Sequence, residues 1–397
     1  MKTFKLVPLA MLVVAAACGG SNGAPTTADF QANAMTFDKV SISQNDGDDN
    51  EPASALAPSA ALTMAPAASS DAVTRGGSEC HPHLFANTDE VIGRVNFHFF
   101  KLVRHVEEVI KTDPASSTGN TRIFENVRAG IDRRLTITGT TNADGSVTYD
   151  FKLELAAVAT TETFVQVMSG TLTHSGPPAG EVADAGAAVA VENKGNVSFD
   201  FDALHSVVAS EPARGQLSDT FDNLHDPVKG VKRTATITLS NFIPDDAQAV
   251  MHGPRNGSYT WEREPGVGGF FQYQDSLILN CPSNPARAVA DIAAVARWYK
   301  AADGSVHGRG DAQATGGQIP LGDKWEGVTC AQGSTSTAPA EGEWLMKEED
   351  STGASIFVGH VQIGVTPCDA IFGAVPDETD SINDYNFSSA VTFPGEL

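Results

Sequence analysis

Between Val147 and Leu155, the apolar residues Val147, Tyr149, Phe151, Leu153 and Leu155 alternate with Thr148, Asp150, Lys152 and Glu154. Successive side chains of a strand point to opposite faces, so this pattern puts one face in a core and the other in water. Leu135 to Thr138 precedes it, and Asp144-Gly145 between the two suits a tight hairpin turn, because both residues tolerate positive φ. The five letters Ala143 to Val147 recur as Ala302 to Val306, again between strand-like flanks, and read as a second, similar hairpin. The same test marks strands at Phe164–Thr173, Val197–Phe201, Gln216–Phe221, Arg233–Phe242, Ser258–Glu262 and Phe270–Cys281. It continues less sharply through Val289–Tyr299, His307–Gln313, Lys324–Cys330, Glu343–Glu348 and Ser355–Val365.

One segment has a different period. Ile92, Val95, Phe99, Leu102, Val106 and Val109 recur at spacings of three and four and make one apolar helix face. Asn87 as N-cap with Glu90 three residues on forms a capping box, and Pro114 stops the chain beyond Thr112, which predicts a helix over about 88–112. Its other face carries Arg94, His98, Lys101, Arg104, His105 and Glu108, a stripe expected to lie in solvent. The expected fold is mainly β: a large antiparallel sheet, a sandwich or a partly open β-barrel, with one N-terminal amphipathic helix covering an open end or a concave face. This β-rich region runs over 79–397, and Pro282 and Pro285 mark a candidate division near 282–288.

A net charge of -23 repels nucleic acid and anionic membrane surfaces, which excludes both as electrostatic partners. Residues 18–78 are dominated by Ala, Ser, Thr, Pro and Asp, too polar to bury a core, and are expected to form a disordered tether. Asp46, Asp48 and Asn50 open like a calcium loop, but Glu51 stands where the loop needs glycine and Ala57 where it needs its closing glutamate, so no calcium site follows.

The first residues set the compartment. Lys2 and Lys5 give a basic start, Leu6 to Val14 an apolar run, and Ala15-Ala16-Ala17 a small-residue cleavage signal before Cys18. The run is shorter than the roughly 20 residues a membrane-spanning helix needs, so residues 1–17 read as a removable signal peptide. Small residues ending in Cys18-Gly19-Gly20 resemble the lipobox of bacterial lipoproteins, with Ala15 where that family usually has leucine. The resemblance covers only this start; it implies cleavage before Cys18 and acylation of the cysteine, a cell-envelope location and, with Gly19 rather than aspartate following, the outer membrane. Four cysteines then remain, Cys80, Cys281, Cys330 and Cys368, enough for two disulfides in an oxidising compartment. Three pairings are open; Cys281 with Cys330, stapling two strands that flank a hairpin, and Cys80 with Cys368 is the favoured one.

No nucleophile elbow, H-E-x-x-H, phosphate loop or paired Cys-x-x-Cys occurs, so no catalytic residue and no cofactor is assigned. Glu79-Cys80-His81-Pro82-His83 is the densest set of metal-capable side chains, but it lacks a second pair at metal-site spacing, and no metal is expected. Arg309-Gly310-Asp311 spells a cell-adhesion tripeptide after a hairpin turn, short enough to arise by chance. The residues thus point to a noncatalytic envelope lipoprotein, structural or protein-interacting, held to the membrane by its lipid. The alternative is a carrier of an apolar ligand such as a lipid, because a front helix followed by an antiparallel sheet resembles the organisation of periplasmic lipoprotein carriers. A large cavity beneath Phe99, Leu102 and Val106 would favour the carrier, and a packed interior would count against it.

Overall fold

The computed structural model describes residues 25–42, 84–158, 163–176, 190–226, 230–244, 254–264, 267–279, 288–300, 305–317, 319–334 and 340–361. Among the described residues, four helices, α1 (Thr27–Ala32), α2 (Phe37–Val40), α3 (Leu84–Val109) and α4 (Phe201–Val207), accompany one sheet. Its strands are β1 (Pro114–Thr118), β2 (Thr121–Arg128), β3 (Ile131–Thr141), β4 (Val147–Ala157), β5 (Val165–Ser175), β6 (Val191–Asp200), β7 (Arg214–Asp226) and β8 (Gly230–Ile243). They continue as β9 (Arg255–Glu264), β10 (Gly268–Leu279), β11 (Ala288–Lys300), β12 (Ser305–Thr315), β13 (Lys324–Ser334), β14 (Ala340–Glu349) and β15 (Ser355–Val361).

All 15 strands lie side by side in chain order, each antiparallel to its neighbours, and among the described residues nothing pairs β1 with β15. The protein is therefore mainly β, with one large open sheet rather than a sandwich or a closed barrel. The sheet also runs through the expected division: β10 and β11, on either side of 280–287, pair from Gly268↔Tyr299 to Leu279↔Ala288. The alternation read in β4 holds, with Tyr149, Phe151, Leu153 and Leu155 all buried. The outward residues across β3 to β9 are mostly polar, as in the row Thr138, Asp150, Thr171, Asn196, Thr220, Thr236 and Thr260, with Leu224 of β7 an exposed exception. That is the reverse of strands whose outer face meets lipid.

The helix α3, about 39 Å long at 1.5 Å per residue, crosses the strands on the sheet's inner face. It touches β2 and β3 at one end of the sheet and β11, β12 and β13 at the other. At Gly310 the approach is so close that a Cβ there would sit 2.8 Å from the Cβ of Leu84, so only glycine fits. Among the helix residues whose side chains are described, most are buried, and the partly or fully exposed ones follow a band through Gly93, Phe97, Phe100, Arg104 and Glu107, flanked by Arg94, Lys101 and Glu108. This differs from the expected half-exposed helix. A sheet of this many strands can curl around a helix instead of lying under it, which removes most of the solvent face.

A second departure concerns the tether. Within it, residues 25–42 are folded: α1 is capped by Thr26, which exchanges hydrogen bonds with Asp29, and Phe30, Met35, Val40 and Ile42 belong to the core. Phe30 stands edge-on to Tyr149 at 5.5 Å and lies under the Arg122 guanidinium. Asn96 of α3 accepts from the Ile42 N–H at 3.0 Å and donates to the Ile42 carbonyl at 2.6 Å, as a neighbouring strand would. Lys39 Nζ donates to the carbonyls of Ala32, the last residue of α1, and of Ala34 just beyond it, and burial lowers its pKa to about 8 against the pull of Asp38. Four apolar anchors in a polar stretch suffice to order it because the sheet supplies the rest of the core. The remainder of the tether and residues 1–17 lie outside the described residues.

Candidate functional site

Several of the interior's polar side chains lie on α3 itself, Thr88, Asn96, His98 and His105 among them. His98 and His105, expected in solvent, are 4% and 3% exposed. His105 Nδ1 accepts from Arg133 Nε at 2.9 Å, so a proton on that ring sits on Nε2. Arg133 also ion-pairs with Glu108 at 3.2 Å, and Glu108 pairs with Arg128 at 3.0 Å. The end of α3 is thereby clamped to the β2–β3 turn. Desolvation first, then the charge on Arg133, depresses the His105 pKa to about 3.

His98 stands edge-on to Phe242, Phe97 and Phe201 at 4.9, 5.5 and 5.7 Å, with its Nδ1 buried and without a partner among the described residues. It borders a cavity of about 20 Å³ that Arg94, Leu217, Leu239, Phe242, Arg255 and Tyr259 help to line. That volume holds about one water molecule. Desolvation, followed by the charges of Lys101, Arg255 and Arg94, lowers the His98 pKa to about 3. Lys101 itself is tied to Glu211 at 2.5 Å across the end of β7.

On β7, Asp219 takes an inner-face position between Val197 of β6 and Ile237 of β8. It is 0% exposed, neither carboxyl oxygen has a hydrogen-bond partner among the described residues, and burial raises its pKa well above the ordinary value. A carboxyl in that setting is held neutral. The signal was present in the sequence, since Leu217, Asp219 and Phe221 alternate within a stretch read as a strand.

The tripeptide Arg309-Gly310-Asp311 lies in the middle of β12, not on a turn. Asp311 is 3% exposed and bridges Arg309 at 2.9 Å and Arg297 at 3.2 Å, while Gly310 faces α3. Its carboxylate is occupied within the fold and is not displayed for adhesion.

Of the residues singled out for chemistry, Cys330 falls on the outer face of β13, is buried and is disulfide-bonded. Its partner lies outside the described residues, as do Cys18, Cys80, Cys281, Cys368 and the set Glu79 to His83. β10, the strand preceding Cys281, and β13, which carries Cys330, lie on either side of the β11–β12 hairpin. Comparison with known proteins adds no assignment. No protein-family model, curated protein or solved structure matches this chain.

These groups do not converge. The two neutral histidines sit seven residues apart, each enclosed by aromatic or cationic neighbours, and Asp219 is sealed between aliphatic strands. General acid–base chemistry needs its groups within reach of one substrate atom, and a space of about 20 Å³ beside His98 admits no organic substrate. Chemically the arrangement fixes the helix in the sheet.

Proposed function

We propose that this chain is a lipid-anchored protein of the bacterial cell envelope, attached to the outer membrane through acyl chains on Cys18. It works as a rigid body that supports or binds other envelope proteins, not as a lipid carrier. One observation carries this choice: the protein's own α3 and residues 25–42 fill the inner face of the sheet. Phe99, Leu102 and Val106, under which a ligand would have to lie, are at most 1% exposed. Two or three acyl chains, at about 0.8 kcal/mol per buried methylene, hold such a body firmly on a bilayer.

The test is mass spectrometry of an organic extract from the Cys18→Ser protein, secreted and purified without detergent. The expected result is no stoichiometric lipid and no uptake of added fatty acid or phospholipid. A lipid present at one per chain would overturn this reading and make the carrier the better one. Photo-crosslinking in cells from outward positions such as Thr236 or Thr260 is expected to yield discrete protein adducts.

A further inference from the structure

Where the chain joins the fold decides how the body stands on its membrane. Pro25 is buried against β3: a Cβ on Gly139 would lie 3.1 Å from Pro25 Cγ and 3.2 Å from Phe30 Cζ. The Gly139 N–H bonds to the carbonyl of Asn120 at 2.9 Å, so Pro25 sits beside the rim formed by the β1–β2 turn and by the β3–β4 turn, Asn142 to Ser146. The opposite rim holds the β2–β3 turn and α4. An 11-residue strand such as β3 separates the two rims by about 33 Å at roughly 3.3 Å per residue.

Cys18 precedes Pro25 by only seven residues, and at 3.3–3.6 Å each they reach at most about 25 Å. The long polar stretch from 43 to 83 follows residues 25–42 in sequence, so it lies between two docked segments and adds nothing to this reach. The outer face of β3 to β9 is mostly polar, with Leu224 of β7 an exposed apolar side chain among charged neighbours, so it offers no broad apolar area to lay on lipid, and the overall charge of -23 is repelled by anionic headgroups.

We infer that the rim containing Asn120 and Asp144 is the bilayer-facing surface of this protein, held within about 25 Å of the headgroups, while the rim with α4 points away from the membrane. This rests on the anchor proposed above. The short linker, not surface adhesion, sets the orientation, and it directs α4 and residues 208–213 toward any partner.

The experiment uses the full chain, acylated and reconstituted into vesicles of neutral phospholipid carrying a headgroup quencher. A fluorescent amino acid is placed at Asn120, at Asp144 or at Ser206 on α4, all exposed positions. Emission at Asn120 and Asp144 is expected to be largely lost and that at Ser206 retained. Inserting about 20 Gly/Ser residues before Pro25, worth roughly 25 Å of flexible reach, is expected to erase the contrast, whereas the same insertion after Ser69 leaves it intact. Equal or reversed quenching on a chain whose Cys18 peptide carries acyl groups by mass spectrometry would overturn the orientation alone. A Cys18 peptide without acyl groups would overturn the anchor and the orientation with it.

Discussion

Arg133 donates its Nε proton to His105 Nδ1 over 2.9 Å, joining the end of the central helix to the sheet with a bond that exists only while His105 is neutral. His98, one helical face earlier, is neutral for a different reason: it is walled by phenylalanines and ringed by Lys101, Arg255 and Arg94. Both pKa values fall from 6.5 to about 3 in the fold. The unfolded chain takes up these protons first, so stability is lost as pH falls below 6.5, by up to about 1.4 kcal/mol per pH unit for each histidine. His98→Phe fits the aromatic surroundings and cannot titrate. Urea melts at pH 7 and pH 5 should show the wild type losing about 2 kcal/mol more than this variant on acidification. An identical pH dependence would mean that His98 is not held neutral.

Asp219 pulls the other way. Its pKa is raised, so its neutral form is fully compatible with the fold below 3.8 and stability is lost as pH climbs from there toward the folded value. Between Val197 and Ile237 an apolar side chain would pack without either cost. Asp219→Leu is expected to stabilise the protein at pH 7 by about 2 kcal/mol, and Asp219→Asn by less, because the amide keeps unpaired polar atoms. The gain should shrink as pH approaches 4, which denaturant melts across that range would show. A destabilised Asp219→Leu at neutral pH would reveal a partner for the carboxyl.

The sheet was legible because its period is so regular. The alternation marks every strand from β3 to β15, but not their order in the sheet, because connections as long as 176–190 and 201–213 do not dictate which strands are neighbours. It does not mark β1 and β2, because Pro114 to Thr118 has no apolar alternation and only Phe124 of β2 is fully inward. The alternation from Val197 carries the expected strand to Phe201; the Asp200 side chain, accepting from the Ala203 N–H at 2.8 Å, caps a helix there instead. The larger gap was spatial. Composition measures the average polarity of residues 18–78, but four side chains decide whether 25–42 docks. A helical wheel likewise shows that His98 and His105 lie off the apolar stripe, yet only the curl of the sheet determines that this side is buried too.

Asp311 offers a test of its place in the strand. It neutralises Arg297 and Arg309, whose side chains keep 19% and 14% of their exposure. Removing the charge with Asp311→Asn takes away the carboxylate that both guanidinium groups share on a largely buried surface, and should cost about 1–3 kcal/mol in a urea melt. The same variant should leave cell attachment unaltered, since the carboxylate is not available to a receptor. Attachment that is lost in the variant, with the fold intact by circular dichroism, would restore the adhesive reading.

The inclusion of residues 25–42 in the core can be decided by two changes far apart in sequence. Phe30→Ala removes a ring that is 0% exposed and packed on Tyr149, so the cost should be about 3–5 kcal/mol. Asn96→Ala leaves the N–H and the carbonyl of Ile42 without partners in a buried site, a loss of about 2–4 kcal/mol. If the segment docks as one unit, either substitution loosens all of it. Amide exchange at Ile42 should then accelerate in Phe30→Ala, and exchange around Phe30 in Asn96→Ala, while β5 to β8 keep their protection. Costs below about 0.5 kcal/mol for both, the range of ordinary surface changes, would return these residues to the tether and restore the long, loose leash that the sequence alone suggests.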